Sequence, residues 1–439
     1  MLLGNNADGG VDAPNCTGTI WSVGNKLGGS WKAGNPYALG PRARAFVAGD
    51  FWETVKPADP YVSPGNAFLS PDELQARGRR VPENVTFLPS RCAPPPFTGA
   101  GAVPAVTMPI IENVAELLPS VRTYGAKGDG KADDTDALQK ALTANRNQAL
   151  YLPPGQYRIT RPLLLDYWNG GWLVGSGPDR TAIINVDGPE DGVVRTDGCG
   201  FAAFQDIAFV ARKGSEAPAF DLSRDPQHPS PPDFLGAGLQ GNVFYRCRFV
   251  GGRHGLSIGR ERFMGDTSLI ADCDFESCVV GVGVRTYNAL MNTVLRCLFS
   301  NVELPVAQDP AGSFSVLQSR FQGGKGGLWV TRPAGDAFWI YDTSSTSPLA
   351  LATGNTGGAV NVLLDGFRYE NETPAELVRY HAGGTLVFLD SDLGAGTVLF
   401  GGNVAYSALL LLRARLESED QIELTHPRAQ VFVLDGPAQ

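Results

Sequence analysis

The sequence predicts an all-β solenoid, a chain wound into coils of short parallel strands, and three observations carry that reading. A chain of 439 residues with 43% hydrophobic content exceeds the size at which a single core stops growing, unless the architecture repeats. Its 54 glycines and 32 prolines, set against 18% charged residues, favour turns and strands over helices. A short apolar pattern ending in Phe also recurs at the spacing of stacked coils.

Residues 1–110 hold few periodic segments and close on a Pro-rich stretch from Ala93 to Pro109. They read as an irregular N-terminal arm or cap. Trp21, Trp31, Phe51 and Trp52 are too many large apolar groups for a disordered tail, so the arm is expected to pack on the main body or to offer a sugar platform. The solenoid domain is expected over residues 111–439. At its start, Asp133, Asp134 and Thr135 precede Ala137, Leu138, Ala141 and Leu142 at helical spacing, which predicts one amphipathic helix over 135–146, capped by Asp133 or Asp134.

The repeat then takes over. Apolar runs end at Phe209, Phe249, Phe275, Phe299 and Phe321, the last three steps being 26, 24 and 22 residues, with further copies placed at Phe367, Leu393 and Leu416. Each is followed by a Gly-containing turn and a second run, beginning near Gly255, Val280, Glu303 and Gly327. The period is that of a β-solenoid; the Leu frame of leucine-rich repeats and the 3.6-residue rhythm of helical repeats are both missing.

Cys247, Cys273 and Cys297 share one repeat position, two before the recurring Phe, so they should stack on successive coils about 4.8 Å apart as a buried column of free thiols. Cys16 and Cys92 both fall in the arm, where pairing stays open. Cys199 and Cys278 have no evident partner, and no CxxC spacing points to zinc.

Composition removes several function classes. A net charge of −9 argues against nucleic acid as a partner, which needs a basic footprint. No run of 18 apolar residues offers a membrane span. The first ten residues lack a charged segment followed by an apolar one, so no secretion signal is read there.

Tyr124 to Leu138, reading Tyr-Gly-Ala-Lys-Gly-Asp-Gly-Lys-Ala-Asp-Asp-Thr-Asp-Ala-Leu, resembles the opening signature of the pectate-lyase-3-like proteins of the pectin-lyase-like superfamily, and Tyr151 to Tyr157 resembles the strand that often follows it. The resemblance covers roughly 119–435. It implies a right-handed parallel β-helix whose capping helix plugs the N-terminal end, a location outside the cell, and a polysaccharide as partner. It implies no single activity, because the superfamily includes lyases, hydrolases, epimerases and phage tailspikes. The signature's Gly and Asp residues read as structural.

By the same resemblance the substrate groove follows the second run of each repeat. If Leu256 and Ile258 point inward, Ser257 and Gly259 face out, with Gly281, Gly283, Pro305, Ala307 and then Trp329 on neighbouring coils. Just beyond lie Arg260, Arg285 and Arg332, with Arg253, His254 and Arg262 nearby. This row suits bidentate binding of uronate carboxylates, or else forms an ion-pair ladder with Glu261, Asp266 and Asp309. An acidic glycan and β-elimination follow, with Arg260 and Arg285 neutralising the carboxylate and Tyr287 or His254 as base and acid. Hydrolysis is the alternative, with Asp266 and Asp309 as its carboxylates. A third reading is a non-catalytic glycan-binding or adhesion protein. Arg253, Arg262, Trp329 and Arg332 are the expected substrate contacts. No metal or other cofactor is expected, and both a monomer and a side-by-side trimer stay open. The polar insertion around Asp225 to Asp233 is expected as a lid or wall, or a passive excursion.

Overall fold

The computed structural model describes residues 118–223, 239–259, 265–287, 289–331, 338–354, 359–401 and 407–434, with Asp309 and Pro310 described by backbone alone. Within residues 1–110, expected as an irregular arm, only the backbone of short strands is described, and these pair in parallel, as Thr19–Val23 with Arg44–Ala48 and Arg44–Ala48 with Val85–Phe87. The rest of the arm, Cys16, Cys92 and the insertion from Asp225 to Asp233 lie outside the described residues.

The chain divides into two compact units, one of residues 100–331 and 343–351, the other of 1–99, 332–342 and 352–439. In the first, every coil contributes one strand to each of three parallel sheets, as in Val243–Tyr245, Arg248–Val250 and His254–Ile258, followed by Leu269–Ala271, Asp274–Glu276 and Val280–Arg285. These are called the first, second and third sheets. This is the parallel β-helix that the Phe repeat predicts.

The repeat has a physical meaning in each of its positions. Asp206, Arg246, Asp272, Arg296 and Gln318 turn the chain from the first sheet into the second with φ between +49° and +59°. The next residue, Ile207, Cys247, Cys273, Cys297 or Ser319, is buried, and the one after points outward. The fourth is the Phe. Phe209, Phe249, Phe275, Phe299 and Phe321 are in register on successive strands of the second sheet. Their rings stack at 5.4, 4.9 and 4.8 Å and close edge-to-face at 5.5 Å, all fully buried. Burying each ring stabilises by roughly 1.5–3 kcal/mol, and each aromatic pair adds about 0.5–1.5 kcal/mol.

One expected gap is filled and one placement needs correcting. The coil after Phe321 carries Ser345 at the Phe position, which is why the pattern skips a step there. In the second unit, Arg368 bridges Asp392 and Asp392 bridges Arg415, so Tyr369 and not Phe367 aligns with Leu393 and Leu416. Phe367 sits two residues earlier, beside Ser391, whose hydroxyl accepts from its amide at 3.1 Å.

The capping helix runs Thr135–Ala144 and buries Leu138, Ala141 and Leu142. Asp134 holds the N-cap position without a side-chain cap, while Asp133, one residue earlier, accepts from the Thr135 amide at 3.0 Å. The Asp134 carboxylate instead holds the preceding loop, accepting from the amides of Lys127 and Gly128 at 2.6 and 2.8 Å. Gly128, at φ +61°, and Gly155 approach so closely that a Cβ on Gly155 would lie 2.7 Å from the Gly128 carbonyl oxygen. The signature is thus structural, as expected from its residue types.

The thiol column is present: Cys247, Cys273 and Cys297, together with Cys199 and Cys278, are free and buried. The Cys247 amide donates to Cys273 Sγ at 3.4 Å, and each thiol of the column donates to backbone carbonyls.

Candidate groove on the third sheet

Leu256, Val282, Val306 and Leu328 point into the core and their neighbours to the other side of the sheet, where Ser257 and Ala307 are nonetheless 0% and 1% exposed. One outward row is continuous in register across six coils: Arg195, Asp221, Ser257, Gly283, Ala307 and Trp329. At about 4.8 Å per coil it is roughly 24 Å long, enough for several sugar rings. Its middle, Ser257, Gly283 and Ala307, is small and covered, and Trp329 stands at one end as a half-buried indole. The expected partner Gly281 does not join it, because a Cβ there would lie 2.6 Å from the Phe299 ring, inside the coil.

Around Ser257 the row becomes polar. Arg285, at the end of Val280–Arg285, donates from Nη1 to Ser257 Oγ at 3.4 Å. Its Nε is buried and has no hydrogen-bond partner. His254, 2% exposed, lays its ring over the Cα of Gly283, with Nε2 2.9 Å from where a Cβ would stand; only Gly permits this. On the other side of Ser257, Asp221 accepts from Ser223 Oγ at 3.0 Å through one carboxylate oxygen, while the other is buried without a partner. Tyr287 follows Arg285 on the turn and is 68% exposed.

Asp309 lies where the ladder is irregular. Val284 pairs with Gln308 but Arg285 with Ala311, so Asp309 and Pro310 are extra residues beside Arg285. Bulges of this kind commonly re-aim side chains next to binding sites.

The remaining expected residues separate. Arg253 stands at the opposite end of the strand, about 20 Å from Arg285 by register, and pairs with Glu216 at 3.2 Å. Asp266 sits at the corner between the third and first sheets, where its carboxylate accepts from the Leu290 amide at 2.8 Å. Arg260, Glu261, Arg262 and Arg332 lie outside the described residues.

Sequence reasoning missed the upstream part of the face. Asp166 and Asp197 are in register on adjacent coils, and Tyr167 donates to Asp197 at 3.4 Å. With Arg195 and Asp221 they extend the same outward face. The signal was available in the alternation of Val194–Gly200, whose residues run buried, exposed, buried from Val194 to Thr196. Those coils lack the Phe motif, so their phase was not read. Among the described residues, no group of three His, Cys, Asp or Glu is arranged to hold a metal ion, and no helix is long and apolar enough to cross a membrane.

Three parallel sheets and a helix over the first coil define a parallel β-helix, and the chain is similar to proteins of the pectin-lyase-like superfamily. Over residues 119–208 the chain matches the family described as Rhamnogalacturonase A/epimerase, pectate lyase-like. Alginate lyase 7 of Azotobacter vinelandii is 38% identical over 88 residues, 18% of this chain and 10% of that protein. The pre-neck appendage protein of Bacillus phage B103 is 31% identical over 78 residues, 18% of this chain and 9% of that protein. The chain therefore spans about a tenth of the length of these curated relatives. Among solved structures, Geobacillus virus E2 ORF18 overlaps 73% of this chain and 62% of its own with a TM-score of 0.42 and 15% identity. The family match includes Asp166, Arg195 and Asp197 but ends before Ser257 and Arg285.

Proposed function

We propose that the chain cleaves an acidic polysaccharide by β-elimination, outside the cell, with the polymer lying along the outer face of the third sheet. The observation that carries this reading is Arg285, a guanidinium at the small-residue stretch of the row whose Nε lacks an acceptor. A uronate carboxylate fits a planar fork of N–H donors in geometry and charge. Pairing it with Arg285 draws charge from the carboxylate and acidifies the proton on the adjacent ring carbon. A base takes that proton, its electron pair forms the carbon–carbon double bond, and the glycosidic oxygen leaves with the old bond's electrons and is protonated. Tyr287, exposed two residues on, and His254, against Gly283, are the candidate acid and base. Trp329 supplies a stacking surface further along.

Hydrolysis is a second reading, favoured by Asp166, Asp197 and Asp221, three carboxylates on one face, two of them in register on adjacent coils. Glycoside hydrolysis needs two carboxylates separated by about 5–9.5 Å.

One experiment separates the readings: uronate-rich and neutral polysaccharides are incubated with the protein while ultraviolet absorbance of the unsaturated product and new reducing ends are followed together. Elimination gives both signals. New ends without absorbance transfer the reading to the aspartates. Binding without either signal overturns catalysis and leaves an adhesion module.

A further inference from the structure

We propose that the outer face of the second sheet carries a separate binding site for neutral sugar rings. It goes beyond the third-sheet reading, from which it differs in place, floor and charge.

Two outward rows define it. The first reads Gln156, Ala182, Ala208, Arg248, and the second Arg158, Ile184, Val210, Val250, Glu276, each in register across adjacent coils. Long polar side chains at both ends of the first row flank two alanines, which leaves a trough. Three branched aliphatic residues run alongside on a face that packing does not bury, as Ile184, Val210 and Val250 are each only partly covered. The turn from Pro178 to Arg180 stands beside the trough, and Asp179 reaches past the coil of Ala208 to Arg248, Oδ1 to Nη1 2.7 Å. The second arm of Arg248 meets Asp274 at 3.4 Å. The open trough holds about 590 Å³, inside the roughly 300–1,000 Å³ typical of small-ligand sites.

The lining chooses the ligand. Ile184, Val210 and the alanines give an aliphatic floor that favours the C–H face of a ring over a charged group. The rim offers donors at Arg180, Arg248 and Gln156 and acceptors at Asp129, Asp179 and Glu276, spaced around the floor. Two cations against three carboxylates give no net attraction for an anion, the reverse of what Arg285 presents. An apolar face with hydroxyls radiating from its edge is the shape of a neutral pyranose. Burial of such a ring lets rim groups exchange water for hydroxyl hydrogen bonds, each a modest net gain. A polymer could then be anchored on one face and cut on another, adding avidity without contacting the groove.

The test is calorimetric titration of the whole chain with cellohexaose, xylohexaose, maltohexaose and laminarihexaose, and with a hexagalacturonate as the anionic comparison. Wild type should bind at least one neutral hexasaccharide. Ala208→Leu, which fills the trough from an outward position, should weaken that binding by about tenfold or more, and Arg285→Ala should leave it unchanged. Should Ala208→Leu lower the melting temperature, Arg180→Ala on the exposed rim serves instead, with a weakening of about threefold to tenfold expected. Absence of binding by all four neutral probes overturns the proposal, as does binding that survives both trough variants. Neutral binding lost in Arg285→Ala would also sink it, by assigning the sugar to the third-sheet groove. Cleavage assays on the same variants keep the readings apart, because the trough variants should retain turnover of short substrates.

Discussion

Arg285 and Ser257 meet across two neighbouring coils on the outer face of the third sheet, Nη1 to Oγ 3.4 Å, while the Nε of the same guanidinium is buried without an acceptor. A buried N–H without a partner costs about 1–3 kcal/mol, so the groove holds a donor set that a bound carboxylate would complete. Arg285→Ala should lower kcat/KM on the acidic polymer by about 100-fold to 1,000-fold, and Arg285→Lys should recover only part of it because the planar fork is gone. Ser257→Ala should cost less than about tenfold, since its contact is long. Initial rates with melting temperatures of the same variants check this; a large rate loss that tracks a fallen melting temperature would assign Arg285 to the scaffold.

A pH dependence of stability is expected from Asp365 in the second unit. Burial first, and then the charges of Asp390 and Asp342, push its carboxyl up to about 6, against an opposing effect from Arg413. A carboxyl raised in the folded state binds more protons folded than unfolded, so its contribution is fully present below the unfolded value near 3.8 and is lost as pH rises towards about 6. Asp365→Asn should remove that slope and stabilise the unit at neutral pH by on the order of 1–3 kcal/mol. Denaturant titrations at pH values across this window measure the difference. Parallel curves for variant and wild type would show that the carboxyl does not titrate there.

Legibility in the sequence followed the strength of the repeat. Where Phe249, Phe275 and Phe299 mark successive coils, register, thiol column and outward row could be read by counting, because one residue in each coil must fill the same space. Where the Phe gives way to Tyr369, counting slipped by two residues. Upstream coils at Leu163–Asn169 and Val194–Gly200 follow different spacings, so Asp166, Arg195 and Asp197 stayed hidden although their alternation is regular. Arg253 looked close to the row that holds Arg285, since sequence distance does not reveal that one precedes a strand and the other ends the next coil's strand. Gly281 and Gly283 show the same limit: a bend in the strand points one inward and leaves the other under His254.

The Phe stack should be the most sensitive part of the fold. Phe275 is fully buried and stacks on Phe249 at 4.9 Å and Phe299 at 4.8 Å, so its loss opens a cavity facing two coils. Phe275→Ala is expected to destabilise by about 3–5 kcal/mol and Phe275→Leu by less, because Leu still fills most of the space. Urea unfolding of the two variants gives the values. A cost below about 1 kcal/mol for Phe275→Ala would mean that the coils relax around the gap.

The buried thiols should be chemically silent. Burial raises Cys273 well above the usual thiol range, with Cys247 and Cys297 as hydrogen-bonding neighbours, and raises Cys278 to about 12. Alkylation needs access as well as the thiolate, and burial withholds access from all five thiols. Peptides containing Cys199, Cys247, Cys273, Cys278 and Cys297 should therefore stay unlabelled by iodoacetamide in the folded protein at neutral pH and become labelled in denaturant, as read by mass spectrometry. Cys297→Ser should cost only about 1 kcal/mol, because the next coil already places Ser319 at this position, with Oγ donating to Leu317 O at 2.9 Å where Cys297 Sγ donates to Leu295 O at 3.4 Å. Labelling of Cys273 in the native state would show that the coils open locally, and the column would then be a site of breathing in the solenoid instead of its packed seam.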